Sequence, residues 1–422
     1  MSIGDRRAGT ISVPLKLWGR SLSSRVLITS LPWEGDVLQV CVLEEQGTIR
    51  ELRAHPEGRE ELLDTVWLGQ VQKIQPFMNG AFVEIRKGLT CFLSLAEQDF
   101  VYRPQGHEQR DLKPGDAVLV QVNREASRRK NPCVTARISL SGKYMVLSRG
   151  KGGVGISKKL SKKERERLRA IGTAFDLPNR MELVIRTSAR DAEEAALREE
   201  FTVLQKQMEE LLHRADTRTV YSRLKCPEPF YLRMLDELSA FPTAVDNIRT
   251  DDAEVYARVE RYLEEKWPEA VSCLSLYEDP LLPMYKLYRL ETVLEEALRE
   301  KVWLKSGGFL MIQQTEAFVS VDVNSGKFSG KKAPQETYRK INLEAAAEIT
   351  RQIRLRNLSG MVLIDFINMD AEENREELLE TLRRLTAADP VQTEVVDITA
   401  LNIVEMTRKK MRKPLAEQVK VV

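Results

Sequence analysis

The chain has 422 residues, 42% of them hydrophobic and 30% charged, with a net charge of only +2. The length exceeds the roughly 100–200 residues of one domain, and the apolar content excludes a largely disordered chain, so several compact units are expected. Near-neutrality excludes a global field for polyanions, and any nucleic-acid surface must come from local clustering.

Residues 1–22 carry Gly, Arg, Ser and Pro without periodicity and read as an N-terminal extension. Strand character begins at Arg25, with Val26-Leu27-Ile28 and then Leu38 to Val42 on either side of a turn-like 32–36 stretch. Further short strands are expected at Val66–Val71, Gly80–Ile85, Cys91–Leu93 and Ala117–Val122. Their Gly/Pro punctuation suggests a small all-β barrel. Between Arg149 and Arg169 nine Lys/Arg stand against two Glu, and Ser161 with Glu164 forms a capping box that starts a helix in this run. A strand at 181–186 leads to a long helix from about Asp191, whose Leu197, Phe201, Leu204, Met208 and Leu211 mark one buried face. Helices are also expected over 252–265 and 286–300. The last 120 residues or so alternate strand and helix, as an α/β unit does.

Cys41, Cys91, Cys133, Cys226 and Cys273 stand singly, as reduced thiols of a cytoplasmic protein do, and no thiolate zinc site is expected. His55, His107 and His213 are far apart and read as surface residues, so a hydrolytic metal would need carboxylates. No apolar run of about 18 residues and no signal-peptide core occurs, so the expectation is a soluble protein without a membrane segment.

The strongest local signal is Ala317 to Gly326. Strand alternation puts Val319, Val321 and Val323 on one face and Ser320, Asp322 and Asn324 on the other. A helix over about 336–356 and a second strand, 360–365, follow. In a strand–helix–strand crossover the strands lie parallel, so Asp322 and Asp365 can converge at one edge. Two carboxylates there suit a hard cation such as magnesium, which can support phosphodiester cleavage. An Asp at a strand end also commonly caps the next turn, and spacing alone leaves the two readings open.

The runs Gly307-Gly308, Gln314-Thr315-Glu316-Ala317 and Asp322-Val323-Asn324-Ser325-Gly326 resemble the signature of the RNase E/G endoribonucleases. So do Asn342 to Ala346, Arg351 to Arg356 and Ile364-Asp365-Phe366-Ile367. The resemblance extends from about Arg25 to Leu415. It implies an endoribonuclease that cuts single-stranded RNA in RNA processing and decay, with magnesium as cofactor, manganese as a substitute, and no zinc. Asp322 and Asp365 would bind the metal and Asn324 would support them by hydrogen bonding. Phe82 and Phe92 match two RNA-gripping aromatics of the family's OB-fold, whereas the alternative is that either Phe is barrel core. Lys130 would contact RNA, and Lys73 and Arg128-Arg129 could add phosphate contacts. Arg186 and Thr187, with Gly142 and Val146, match a pocket for a 5′-monophosphate. Arg186-Thr187 sits between a strand and a helix N-terminus, where free amides suit phosphate.

The implied architecture is a multi-subdomain α/β protein. An RNase H-like scaffold (residues 23–60 and 230–297) would hold an inserted OB-fold β-barrel (61–140) and a 5′-sensor subdomain (141–229). A deoxyribonuclease-I-like α/β catalytic subdomain would follow (298–422). Departures from the family pattern are the lack of the Cys pair that shares zinc between subunits, Asn368 where an aspartate is usual, and no glycine after Thr187. A homodimer, if formed, is therefore expected without a zinc link. The alternative reading is a non-catalytic RNA-binding or ribosome-associated regulator that retains the fold.

Overall fold

The computed structural model describes residues 24–104, 111–126, 131–239, 245–326 and 334–420. The expected N-terminal extension and the Arg128-Arg129-Lys130 run lie outside the described residues. β1 (Ser24–Trp33), β2 (Asp36–Glu45) and β3 (Thr48–Pro56) form two successive hairpins. The connecting pairs Glu34-Gly35 and Gln46-Gly47 all have positive φ, the turn geometry that matches strand twist. The first turn is therefore tighter than the 32–36 stretch expected, because β1 runs on through Trp33. β3 is an addition to the expected strands; it buries Glu51 and Arg53, so its sequence lacks an apolar signature.

β4 (Val66–Gln75), β5 (Gly80–Arg86), β6 (Leu89–Ser94), β7 (Ala117–Arg124) and β8 (Cys133–Thr135) follow. They pair in the order β4-β5-β6-β8-β7, and β7 pairs back onto β4, closing a five-stranded, OB-like barrel. Val71, Ala81, Val83, Ile85, Cys91, Leu93, Val118 and Val120 fill it. A second sheet contains β9 (Ser139–Ser141), β10 (Met145–Arg149), β11 (Gly153–Ile156) and, after helix α1 (Lys162–Thr173), β12 (Met181–Ile185). The Ser161/Glu164 capping box forms with both of its hydrogen bonds. Helix α2 (Glu194–Thr217) buries Leu197, Phe201, Leu204, Met208 and Leu211, as the spacing predicts, against this sheet and the outer side of β4 and β7.

β13 (Arg223–Lys225) adds to β4, and the chain then returns to where it started. Helix α3 (Phe230–Ser239), β14 (Asn247–Thr250), helix α4 (Ala253–Lys266) and β15 (Leu274–Leu276) complete the first sheet in the order β15-β14-β1-β2-β3. The one helix expected over 286–300 is two, α5 (Met284–Leu287) and α6 (Leu290–Leu298), because Arg289 between them is left-handed at φ 52°.

The last unit contains β16 (Lys301–Trp303), β17 (Phe309–Gln314), β18 (Phe318–Asn324), α7 (Pro334–Leu355), β19 (Gly360–Asp365), α8 (Glu372–Thr386), β20 (Thr393–Ile398) and β21 (Ile403–Arg408). Its sheet order is β16-β17-β18-β19-β21-β20, and β18–β19 is its parallel pair. Helices α7 and α8 cover one face through Ile341, Ala345, Ile349, Leu378 and Leu382. The other face stays open. A short helix, α9 (Leu415–Gln418), then docks on β3, where the Ala54 N–H donates to Gln418 Oε1 at 3.1 Å. Among the described residues no helix is long and apolar enough to cross a membrane.

A charge network ties these units together. Arg53 Nη2 lies 2.7 Å from both Glu51 Oε1 and Glu237 Oε2. Arg412, beyond β21, reaches Glu237 at 2.7 Å and Glu51 at 3.4 Å. Burial pushes the Glu51 and Glu237 carboxyls up, but the two arginines outweigh it, and Glu237 is held down at about 2. Arg53 and Glu51 side chains are only 6% and 8% exposed. Arg53→Met should therefore leave Glu51 in the interior with only the longer contact to Arg412 and cost about 3–5 kcal/mol in urea unfolding. Both carboxyls titrate lower folded than unfolded. Their contribution should be complete above the ordinary value of 4.5 and be lost as pH falls below it, for Glu237 towards about 2. Solvent reaches Glu237, whose side chain is 43% exposed, and screens its share. Acid titration of the unfolding free energy in wild type and Arg53→Met checks both points.

Candidate active site and nucleic-acid interface

The parallel register of β18 and β19 makes Asp322 and Asp365 direct cross-strand partners. Val319, Val321, Val323, Val362 and Ile364 point into the core beneath α7. Alternation therefore turns both aspartates outward, where they are exposed. Asn324, one step further along the same face, donates from Nδ2 to Asp322 Oδ2 at 2.7 Å. The loop that leaves Asp365 is clamped from behind. Buried Asn342 on α7 donates to the Ile367 carbonyl at 2.7 Å and accepts the Ile367 N–H at 3.1 Å. Glu344 on the same helix accepts the Lys305 N–H at 2.6 Å and holds the loop that feeds β17. Asn368 is exposed and accepts a bond from Asn402 at 3.2 Å.

Among the described residues no cluster of three or more His, Cys, Asp or Glu could hold a metal ion. Two adjacent carboxylates still fit magnesium, which keeps several waters and uses one or two carboxylates plus phosphate oxygens. They would not make the closed cage that zinc or calcium takes in structural sites.

On the barrel, Phe82 and Phe92 are cross-strand partners, with ring centroids 6.1 Å apart at 77°. Their neighbours Ala81, Val83, Cys91 and Leu93 fill the barrel, so the two rings lie on its outer face, half-buried. The barrel-core alternative is thus overturned. Gly80 makes room for this arrangement, since a Cβ there would come 2.0 Å from the Phe92 ring. Lys73 is the cross-strand partner of Phe82 and is exposed, which adds a cation to the aromatic row. Lys130 lies outside the described residues.

In the second sheet, β10 and β12 bring residues 142–146 beside 186–188. The Arg186 N–H donates to the Tyr144 carbonyl at 2.7 Å, and Arg186 Nη1 donates to the Gly142 carbonyl at 2.9 Å. Val146 pairs with Val184 and is half-buried. The expected helix N-terminus beside Arg186-Thr187 is not there. Thr187–Ala189 forms a short 3-10 turn, and the long helix starts only at Glu194. Two acidic neighbours went unanticipated. Asp236 on α3 pairs with Arg186 Nη1 at 3.1 Å, and nothing local in the sequence links them. Glu200 accepts the N–H groups of Lys143, Tyr144 and Met145 at 2.8–3.1 Å. Burial raises its carboxyl, and those three N–H bonds pull it back in part. A carboxylate between Leu197 and Leu204 on the buried stripe of α2 was the available signal for it.

Known proteins resemble this chain along most of its length. The ribonuclease E/G family model matches residues 139–411. Ribonuclease G of Escherichia coli strain K12 is 30% identical over 405 residues, covering 93% of this chain and 81% of that protein. Ribonuclease G of Haemophilus influenzae is 31% identical over 388 residues, 88% of this chain and 77% of that protein. Ribonuclease E of Synechocystis is 34% identical over 368 residues, 85% of this chain, which matches only 54% of that longer protein. With a family match across most of its length and relatives similar along nearly all of it, the chain belongs to the ribonuclease E/G family of RNA-cleaving enzymes.

Proposed function

We propose that this chain is a cytoplasmic, magnesium-dependent endoribonuclease that cuts single-stranded RNA in RNA processing and decay and favours 5′-monophosphorylated substrates. The observation that carries it is the pairing of Asp322 with Asp365 across a parallel register, with Asn324 bonded to Asp322 at 2.7 Å. Pure RNA binding needs no such constellation on an open sheet face. Bound magnesium would supply charge neutralisation and an activated water for phosphodiester cleavage. Asp322 and Asp365 would hold it. Asn324 engages Oδ2 of Asp322, which orients that carboxylate and leaves Oδ1 for ligation. The Asn342 clamp on Ile367 keeps the Asp365 end of β19 in place.

The OB-like barrel would grip the strand away from the cut. Phe82 and Phe92 offer stacking faces, and Lys73 beside them meets a phosphate. Arg186, with Thr187, Gly142 and Val146, would receive the 5′ end. Its bonds to the Gly142 carbonyl and Asp236 both use Nη1. Among the described residues Nη2 and Nε remain for a bidentate phosphate. The unit boundaries that fit this reading are an RNase H-like scaffold built on the split first sheet, and a deoxyribonuclease-I-like catalytic unit after residue 298.

Asp322→Asn or Asp365→Asn should lower turnover by on the order of 100-fold or more, the scale of losing one charge-stabilising group. RNA affinity should hold within a few-fold, as read by cleavage and gel-shift titrations at saturating magnesium. Normal turnover in either variant would sink the metal-site reading. Phe82→Ala and Phe92→Ala should weaken RNA binding by about 1–3 kcal/mol per ring. Their melting temperatures should barely move, since neither ring sits in the barrel core; a large thermal loss without a binding defect would contradict the stacking role. The wild type should prefer a 5′-monophosphate over a 5′-hydroxyl by about tenfold or more in kcat/KM, the scale of a charge-assisted hydrogen bond. Arg186→Ala should erase the preference while 5′-hydroxyl RNA is cut as before. Equal wild-type rates on the two substrates would exclude end sensing.

A further inference from the structure

The open face of the last sheet carries an aromatic pair near the two aspartates. Trp303 is 65% exposed, although Val302 and Leu304 on either side of it pack into or against the core. Its ring meets Phe309 edge-on, with centroids 5.5 Å apart at 63°. Lys301 Nζ sits over both rings, 4.0 Å from the Trp303 centroid and 3.9 Å from that of Phe309. Register sets these residues beside the candidate active site. Trp303 pairs with Phe309, and Phe309 with Asn324. In the adjacent row Lys301 pairs with Met311, Met311 with Asp322, and Asp322 with Asp365. At the usual strand spacing the Trp303 backbone lies roughly 10 Å from that of Asn324.

Trp303 lies outside the core packing of β16, which Val302 and Leu304 supply. An exposed indole is, however, a platform on which any base can stack. An ammonium on a flexible stem is a cation that a base can displace and a phosphate can then accept. We propose that Trp303 and Phe309 form a base-stacking subsite that positions one nucleobase of the RNA beside Asp322 and Asp365. Lys301 moves from the ring faces to a neighbouring phosphate as the base enters. The subsite rests on the reading of the two aspartates as the RNA-cleaving pair. It accepts purines and pyrimidines alike, because recognition is through the π-face.

The test uses the full chain carrying Asp322→Asn, so that binding is read without turnover, and a short single-stranded RNA in which one abasic nucleotide is walked along the strand. Besides any positions that face Phe82 and Phe92 on the barrel, one abasic position should bind about tenfold more weakly than intact RNA. Adding Trp303→Ala should weaken intact RNA by a similar factor and abolish the penalty at that position, while Trp303→Phe restores most of both. The melting curve of Trp303→Ala should match its parent, since the ring is exposed. Persistence of every abasic penalty in Trp303→Ala, or unchanged affinity for intact RNA, would overturn the subsite. So would loss of a protein partner by Trp303→Ala with RNA binding intact. Cleavage by the unmutated chain is scored separately. An active enzyme without the stacking signature refutes the subsite alone, and an inactive chain with the signature refutes the cleavage reading alone.

Discussion

The parallel pairing of β18 with β19 is the constraint on which the candidate active site depends. Parallel neighbours cannot be joined by a tight turn, so the chain must leave the sheet and return, and α7 makes that crossover. The same helix supplies Ile341, Ala345 and Ile349 to the core and Asn342 to the loop after Asp365. A slip of one residue in β19 would turn Asp365 inward and expose Val362 and Ile364. The apolar residues on the hidden face thus decide where the carboxylates on the open face stand. Polar function on one side of this sheet is specified by oil on the other.

The unit that carries the aspartates is fastened to the rest by charge rather than by a broad apolar seam alone. Glu51 from β3, Glu237 from α3, and Arg53 and Arg412 from two distant parts of the chain share one network. Arg351 on α7 also donates to the Ile49 carbonyl at 3.3 Å. Buried ion pairs of this kind contribute little net stability, because desolvation offsets attraction, yet breaking them is expensive. Their geometric demand suits a multi-unit protein in which the first sheet and the last must keep a fixed relation.

Where core-facing residues were apolar, the sequence was readable. The stripe of α2, the capping box of α1 and the strands around Asp322 and Asp365 all rest on local pattern, and all formed. β3 escaped because its interior side presents Glu51 and Arg53, whose partner Glu237 is 184 residues from Arg53. The break at Arg289 escaped because a left-handed Arg leaves no compositional mark. In the candidate site, the outward direction of the aspartates followed from alternation, whereas the Arg186–Asp236 pair joins two units that no periodicity connects. Long-range electrostatics was the illegible part.

The interrupted first sheet has a consequence for the order in which the protein can take shape on the ribosome. The barrel has all its strands once residue 135 has been made, and the sheet flanked by α1 and α2 is complete by Thr217. The first sheet, though begun earlier, waits for β14 and β15, and three strands alone bury only part of their apolar surface. Part of its β3 edge, around Ala54, waits longer still, until α9 and Gln418 arrive to cover it. During that interval the growing chain carries a bare strand edge, the kind of surface that pairs with other chains. The segment that finally closes it also brings Arg412 to Glu51 and Glu237, so protecting the edge and locking the units together are completed by the same stretch of polypeptide.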